Sequence, residues 1–124
     1  MNNQEVTTRS TRPTTRLIAH EKALKAAEIS IQLVLRVPAP LRSLADQVVR
    51  AASSVPANLA EGAGRSGKDR AYHWRIAYGT AKEVDTYLQL LVASGAVDAN
   101  QTAKALRLFD DVRALTWRLL NPRR

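Results

Sequence analysis

The groups in this chain whose spacing invites a chemical reading are a few carboxylates, an amide and one imidazole. Asn58 and Glu61 lie three residues apart, so on a helix they share a face, and Glu83 falls on the apolar stripe of a later segment. Two carboxylates brought together can exchange protons or hold a cation. Asp69 and His73, at i and i+4, can also share a helix face, but a metal ion needs further ligands and the only other histidine is His20. Asp110 and Asp111 are sequence neighbours, and they point in different directions on a helix. No nucleophile elbow, nucleotide fingerprint or zinc signature is present, and there is no cysteine. The stretch GAGRSG, residues 62–67, places glycines and an arginine ahead of a helix, where backbone N–H groups can meet a phosphate. These residues favour a structural reading. Asn58, Glu61 and Glu83 are expected to form an interior hydrogen-bonded network that sets helix register, with Arg65 and Arg75 the nearest cationic partners. No catalytic residue, metal or cofactor is expected.

The charge balance points outward. Lys and Arg total 19 against 11 acids, a net charge of +8, which favours polyanions. Most of the cations fall in three groups. Arg9, Arg12 and Arg16 lie near the start; Arg65, Lys68, Arg70 and Arg75 surround the glycine-rich stretch; Lys104, Arg107, Arg113, Arg118, Arg123 and Arg124 follow. Tyr72 and Trp74 interleave with the second group, a combination suited to stacking bases and pairing phosphates, although one of them is expected to pack in the bundle or at a subunit contact. The expected nucleic-acid contacts are Arg65, Lys68, Arg70, Arg75, Lys104, Arg107, Arg113 and Arg118, with RNA favoured over DNA.

The elements that must position these groups are helices. The 124 residues fit one domain, and five glycines and five prolines leave long uninterrupted segments. Residues 1–14 are polar and Thr-rich and read as a disordered arm. A first amphipathic segment runs from about Thr15 to Arg36, with Leu17, Leu24, Ala27, Ile31 and Val34 as its stripe, and Val37-Pro38-Ala39-Pro40 ends it. The second begins near Leu41 and carries Leu44, Val48, Ala52, Val55 and Leu59. The third spans Gly67 to about Ser94, its stripe passing through Ile76, Gly79, Glu83, Val84, Tyr87 and Leu91. The fourth follows Asp98, a good N-cap, with Ala105, Phe109, Val112, Thr116 and Leu119 inward, and Asn121-Pro122 stops it. The expectation is an all-α, up-down-up-down four-helix bundle over residues 15–121. Pro56 sits inside the second helix and should kink it, since Val55 and Leu59 continue the stripe across it. Gly79 suggests close approach of another backbone. No apolar run approaches the ~20 residues of a membrane span, the first residues lack the apolar core of a secretory signal, and the missing cysteines fit a reducing cytoplasm.

One pattern is specific. Arg50-Ala51 is followed by Ser54, Pro56, Asn58, Ala60, Glu61 and Gly62, then Arg65, and later by Ala77, Gly79, Thr80 and Glu83. This resembles the four-helix-bundle family of proteins encoded by intervening sequences in 23S ribosomal RNA genes, to which the accessory variability protein of diversity-generating retroelements is related. Thr80 stands where the family usually has Ser, and Ala63 and Gly64 where it more often has an aromatic. The resemblance implies a homopentamer with a basic, nucleic-acid-facing surface, and, in the retroelement relatives, a reverse transcriptase as partner. The functional expectation is a non-enzymatic, oligomeric, RNA-binding bundle; the alternative is a protein-interaction scaffold with no nucleic-acid role.

Overall fold

A computed structural model describes residues 14–123. Four α-helices follow in order: α1 (Thr15–Val34), α2 (Arg42–Ala63), α3 (Gly67–Ala93) and α4 (Ala99–Leu120), with a single 3-10 turn (Ala39–Leu41) leading into α2. The expected arm, residues 1–13, lies outside the described residues. Short connections force successive helices antiparallel, and each helix packs on two others: α1 on α2 and α4, α3 on α2 and α4. The bundle is therefore up-down-up-down, and the described residues contain no strand.

The helix ends follow local chemistry. The Thr14 hydroxyl accepts from the Leu17 N–H at 3.2 Å, and the Asp98 carboxylate accepts from the Gln101 N–H at 2.7 Å, so both act as N-caps. At the end of α3, Gly95 adopts φ 72°. Its N–H reaches Val92 O and the Ala96 N–H reaches Leu91 O, both at 2.9 Å, the paired closure that a left-handed residue permits. α2 runs through Pro56 as one element, with the proline ring buried.

The core has the spacing of a coiled-coil seam. Buried residues alternate by three and four in α2 (Ala45, Val48, Ala52, Val55, Leu59, Gly62), in α3 (Trp74, Ala77, Ala81, Val84, Leu88, Leu91) and in α4 (Thr102, Ala105, Phe109, Val112, Thr116). For α2 and α4 this is the expected stripe. For α1 and α3 it is so only in part, at Ala27 and Val34 and at Val84 and Leu91. The buried face of α1 consists of Ala19, Ala23, Ala26, Ala27, Ile29, Ser30 and Val34, while Leu17 and Leu24 are each 50% exposed. Small side chains let α1 lie close to its neighbours, and Leu17 and Leu24 face outward while Leu33 packs against the core. In α3 Val84 and Leu91 lie in the seam as expected, but Ala77, Ala81 and Leu88 are buried in place of Ile76, Gly79 or Thr80, and Tyr87, and Gly79 and Glu83 are exposed. A Cβ added at Gly79 would meet nothing within 4 Å, so no backbone among the described residues approaches it.

Among the described residues, the buried polar side chains are three hydroxyls. Ser30 donates to Ala26 O (2.8 Å), Thr102 to Asp98 O (2.7 Å) and Thr116 to Val112 O (2.6 Å). Each is satisfied within its own helix turn, so none ties two helices together.

Candidate nucleic-acid interface

The Pro56 motif builds the seam between α2 and α3. The Asn58 amide nitrogen donates to the Ser54 carbonyl and to the Ser54 hydroxyl, both at 3.0 Å. That orientation turns Asn58 Oδ1 toward His73 Nδ1, 2.9 Å away, and the imidazole must carry its proton on Nδ1 to donate there. At the next position, Trp74 is 5% exposed and its indole N–H donates to Leu59 O at 3.2 Å. The ring lies against Gly62 so closely that a Cβ there would stand 2.5 Å from Trp74 Cδ1 and Nε1. Gly62 is thus the floor of the tryptophan seat. Arg70 then crosses back to α2, donating Nε to Gly62 O (3.0 Å) and an Nη to Ala63 O (3.2 Å), with its guanidinium 5.4 Å from the Trp74 ring centre. It caps carbonyls that the helix end leaves open.

The interior network expected of Asn58, Glu61 and Glu83 is corrected by this geometry. Asn58 is half-buried and bonded across the seam, but to His73. Glu61 is exposed and paired with Arg65 at 2.8 Å. Glu83 is exposed on the outer face of α3. The physical reason is register: the seam of α3 passes through Ala77, Ala81 and Val84, which turns Glu83 to solvent. Asp69 and His73 are not partners either, since Asp69 meets Arg65 at 3.3 Å while His73 faces Asn58. Among the described residues, no group of three or more His, Cys, Asp or Glu is arranged to hold a metal ion.

The eight expected contact residues separate into three kinds. Arg65 is held between Glu61 and Asp69; the Glu61 hydrogen bond and charge, then Asp69, raise its guanidinium pKa above the ordinary value, and its charge is locally matched. Arg113, only 20% exposed, bridges α4 to α3 through Asp85 at 3.0 Å and also pairs with Asp110. Both arginines are engaged by carboxylates of the chain itself. Arg70 is half-buried at the end of α2. Lys68, Arg75, Lys104, Arg107 and Arg118 are exposed and make no ion pair among the described residues. They do not form one patch. Lys104 and Arg107 line a shallow depression with Lys25, Asp110 and Asp111, 11 to 14 residues along α4 from Arg118, which is roughly 16–21 Å of helix. Lys68, Arg70, Arg75 and Arg118 belong instead to the end of the bundle where α1 and α3 begin and α2 and α4 finish. Arg16 and Arg123 join that end, lining the same pocket as Arg70 and Arg118.

Of the two interleaved aromatics, Trp74 is core and Tyr72 is 57% exposed, edge-on to His73. Trp117, beside Arg118, is a second exposed aromatic that the stripe reading passed over. Its signal was its offset by one from Thr116, which belongs to the seam. Arg16 and Arg123 were missed as site residues because only the folded topology brings the first and last helices together.

A basic four-helix bundle, with several of its exposed cations at one end and along α4, is the class that fold and charge define. Residues 15–118 match the model of the 23S rRNA-intervening sequence protein family, and the chain belongs to that family. Among solved structures it is similar to a protein of unknown function of the S23 ribosomal protein family from Bacteroides thetaiotaomicron. The two share 18% identity over 87% of this chain and 99% of that one, with a TM-score of 0.78. No curated protein matches the chain. None of the described helices is long and apolar enough to cross a membrane.

Proposed function

We propose that this chain is a non-enzymatic, homo-oligomeric RNA-binding bundle, acting in the cytoplasm as an accessory factor. One observation carries the reading: Lys68, Arg75, Lys104, Arg107 and Arg118 stand exposed without acidic partners, while the carboxylates near them are engaged by Arg65 and Arg113 or by Lys22. Unmatched surface cations on a chain of net charge +8 bind polyanions by releasing their counterions. Exposed Tyr72 and Trp117 beside them offer faces on which unpaired bases stack, which favours RNA over duplex DNA.

Assembly is the second half of the proposal, and the pentamer is the form the family resemblance implies. It is supported by the outward face of α1. Leu24, Ala27 and Ile31 line a groove of about 620 Å³ with Pro56, Ala57 and Ala60 of α2. Leucines displaced from the core by alanines need cover, and a second copy offers it. Filter binding of a structured RNA at two salt concentrations tests the first half. Tight binding at low salt that weakens steeply at high salt supports it, and no binding at low salt refutes it. Sedimentation of Leu24→Glu tests the second half. Dissociation to monomers supports assembly through this groove, and a wild type that sediments as a monomer refutes it. Capture of a stable protein partner with no nuclease-sensitive material would favour the scaffold reading.

A further inference from the structure

At the end of the bundle where α1 starts and α4 stops, a pocket of about 440 Å³ opens between three helices and the segment after α4. Four arginines line it: Arg16 of α1, Arg70 of α3, Arg118 of α4 and Arg123 beyond it, with Thr15 and Asn121 between them. Among the described residues, no Asp or Glu lines it. Two helices begin at this end and two finish, so the helix dipoles largely cancel and the side-chain charge decides the potential.

Two of the arginines are anchored. Arg70 donates to the Gly62 and Ala63 carbonyls and lies against Trp74, and Arg16 donates an Nη to Ala63 O at 3.4 Å. Carbonyl acceptors fix a guanidinium in place without neutralising its charge. Arg118 and Arg123 are exposed and make no ion pair among the described residues. End-capping explains Arg70 and Arg16, and it leaves the convergence of the other two unexplained. Like charges gathered in one concavity repel one another, and an anion between them removes that cost. Guanidinium forks arriving from several directions match the tetrahedral oxygens of a phosphate better than the two coplanar oxygens of a carboxylate. The volume falls within the range of sites that take small ligands and leaves room beyond a bare phosphate for an attached sugar.

We propose that this pocket, lined by Arg16, Arg70, Arg118 and Arg123, is a phosphate-binding site that seats a phosphate group of a bound RNA strand. The RNA as source of the phosphate rests on the functional reading above, whereas the affinity for phosphate does not.

The test uses the full chain and the double variant Arg118→Ala/Arg123→Ala, both substitutions being at exposed positions, with circular dichroism as the check that the variant is folded. Inorganic phosphate, titrated against sodium chloride at equal ionic strength, should shift the backbone amide resonances of Thr15, Arg16 and Asn121 in the wild type and leave them unmoved in the variant. A single-stranded RNA is then compared with a 5′-phosphate and with a 5′-hydroxyl. The variant should bind the RNA about tenfold more weakly, with a salt slope lower by about one per lost contact. If only the 5′-phosphorylated strand loses affinity, the pocket seats a strand end. If both lose it equally, the pocket seats an internal phosphodiester. Both outcomes support the site. Absence of any phosphate-specific shift, with RNA affinity equal in variant and wild type, overturns it. If that result appears while Lys68→Ala/Arg75→Ala weakens RNA binding, the site falls and the RNA reading stands. If no RNA binds but phosphate still moves the pocket amides, the RNA reading falls and the phosphate site stands.

Discussion

Replacing Gly62 by alanine puts a methyl carbon 2.5 Å from Cδ1 and Nε1 of Trp74 and 3.1 Å from the Arg70 carbonyl oxygen. Real carbon contacts do not reach 2.5 Å, so the indole must move. Trp74 is buried, and its N–H is bonded to Leu59 O, so the ring cannot swing into open solvent without loss. Overpacking of this kind costs typically 1–3 kcal/mol. Weakening the indole hydrogen bond adds about 1 kcal/mol. Against this, alanine is the better helix former by up to about 1 kcal/mol. The balance is a loss of about 1–3 kcal/mol. For a domain this size that lowers the melting temperature by about 4–12 °C, read by circular dichroism at 222 nm. The decisive comparison is the same substitution in a Trp74→Leu background, where the indole is absent. There Gly62→Ala should be neutral or mildly stabilising, because only the propensity gain remains. A loss of equal size in both backgrounds, or a gain in the wild type, would refute the seat.

Three further outcomes follow from the geometry. Gly79→Ala, at an exposed mid-helix position with no neighbour within 4 Å, should raise stability by about 0.5–1 kcal/mol in urea unfolding, and a loss would contradict the open surface drawn for that face. Asn58→Ala removes bonds to Ser54 and His73 and should lower stability by about 1–2 kcal/mol, whereas Glu61→Ala, at an exposed site, should melt close to the wild type; the reverse order would contradict the burial assigned to the two residues. Arg113→Ala and Asp85→Ala break a pair whose side chains are only about one-fifth exposed, and each should cost about 1–3 kcal/mol, with a coupling energy near 1 kcal/mol in the double-mutant cycle. A coupling of zero would mean that the bridge contributes nothing between α3 and α4.

Helix number, ends and order were legible in the sequence because they depend on local signals: Asp98 as a cap, Gly95 as a stop, prolines 38 and 40 between α1 and α2. The faces were legible only where one stripe dominates, as in α2 with Val48, Val55 and Leu59. In α1 hydrophobicity misled in part, since the seam takes several alanines along with Ile29 and Val34, and Leu17 and Leu24 lie outside. In α3 two registers compete, one through Glu83 and one through Ala81 and Leu88, and packing against Phe109 and its neighbours in the core selects the second. The site suffered most. Which cations are matched depends on tertiary pairs such as Arg113 with Asp85, 28 residues apart, and no spacing rule along one helix announces such a pair. Arg65 was different, because Glu61 and Asp69 at i−4 and i+4 place its partners in plain view.

The central claim is that exposed cations with no ion-pair partner, at the bundle end and along α4, hold RNA, while paired ones hold the fold. The most direct test is the dependence of RNA affinity on salt, measured for the wild type, for Arg75→Ala/Arg118→Ala, and for Arg65→Ala. The account predicts a steep slope for the wild type, a slope lower by about two for the first variant, and an unchanged slope for the second. Equal slopes for all three, or a larger effect from Arg65 than from Arg75 and Arg118 together, would contradict it.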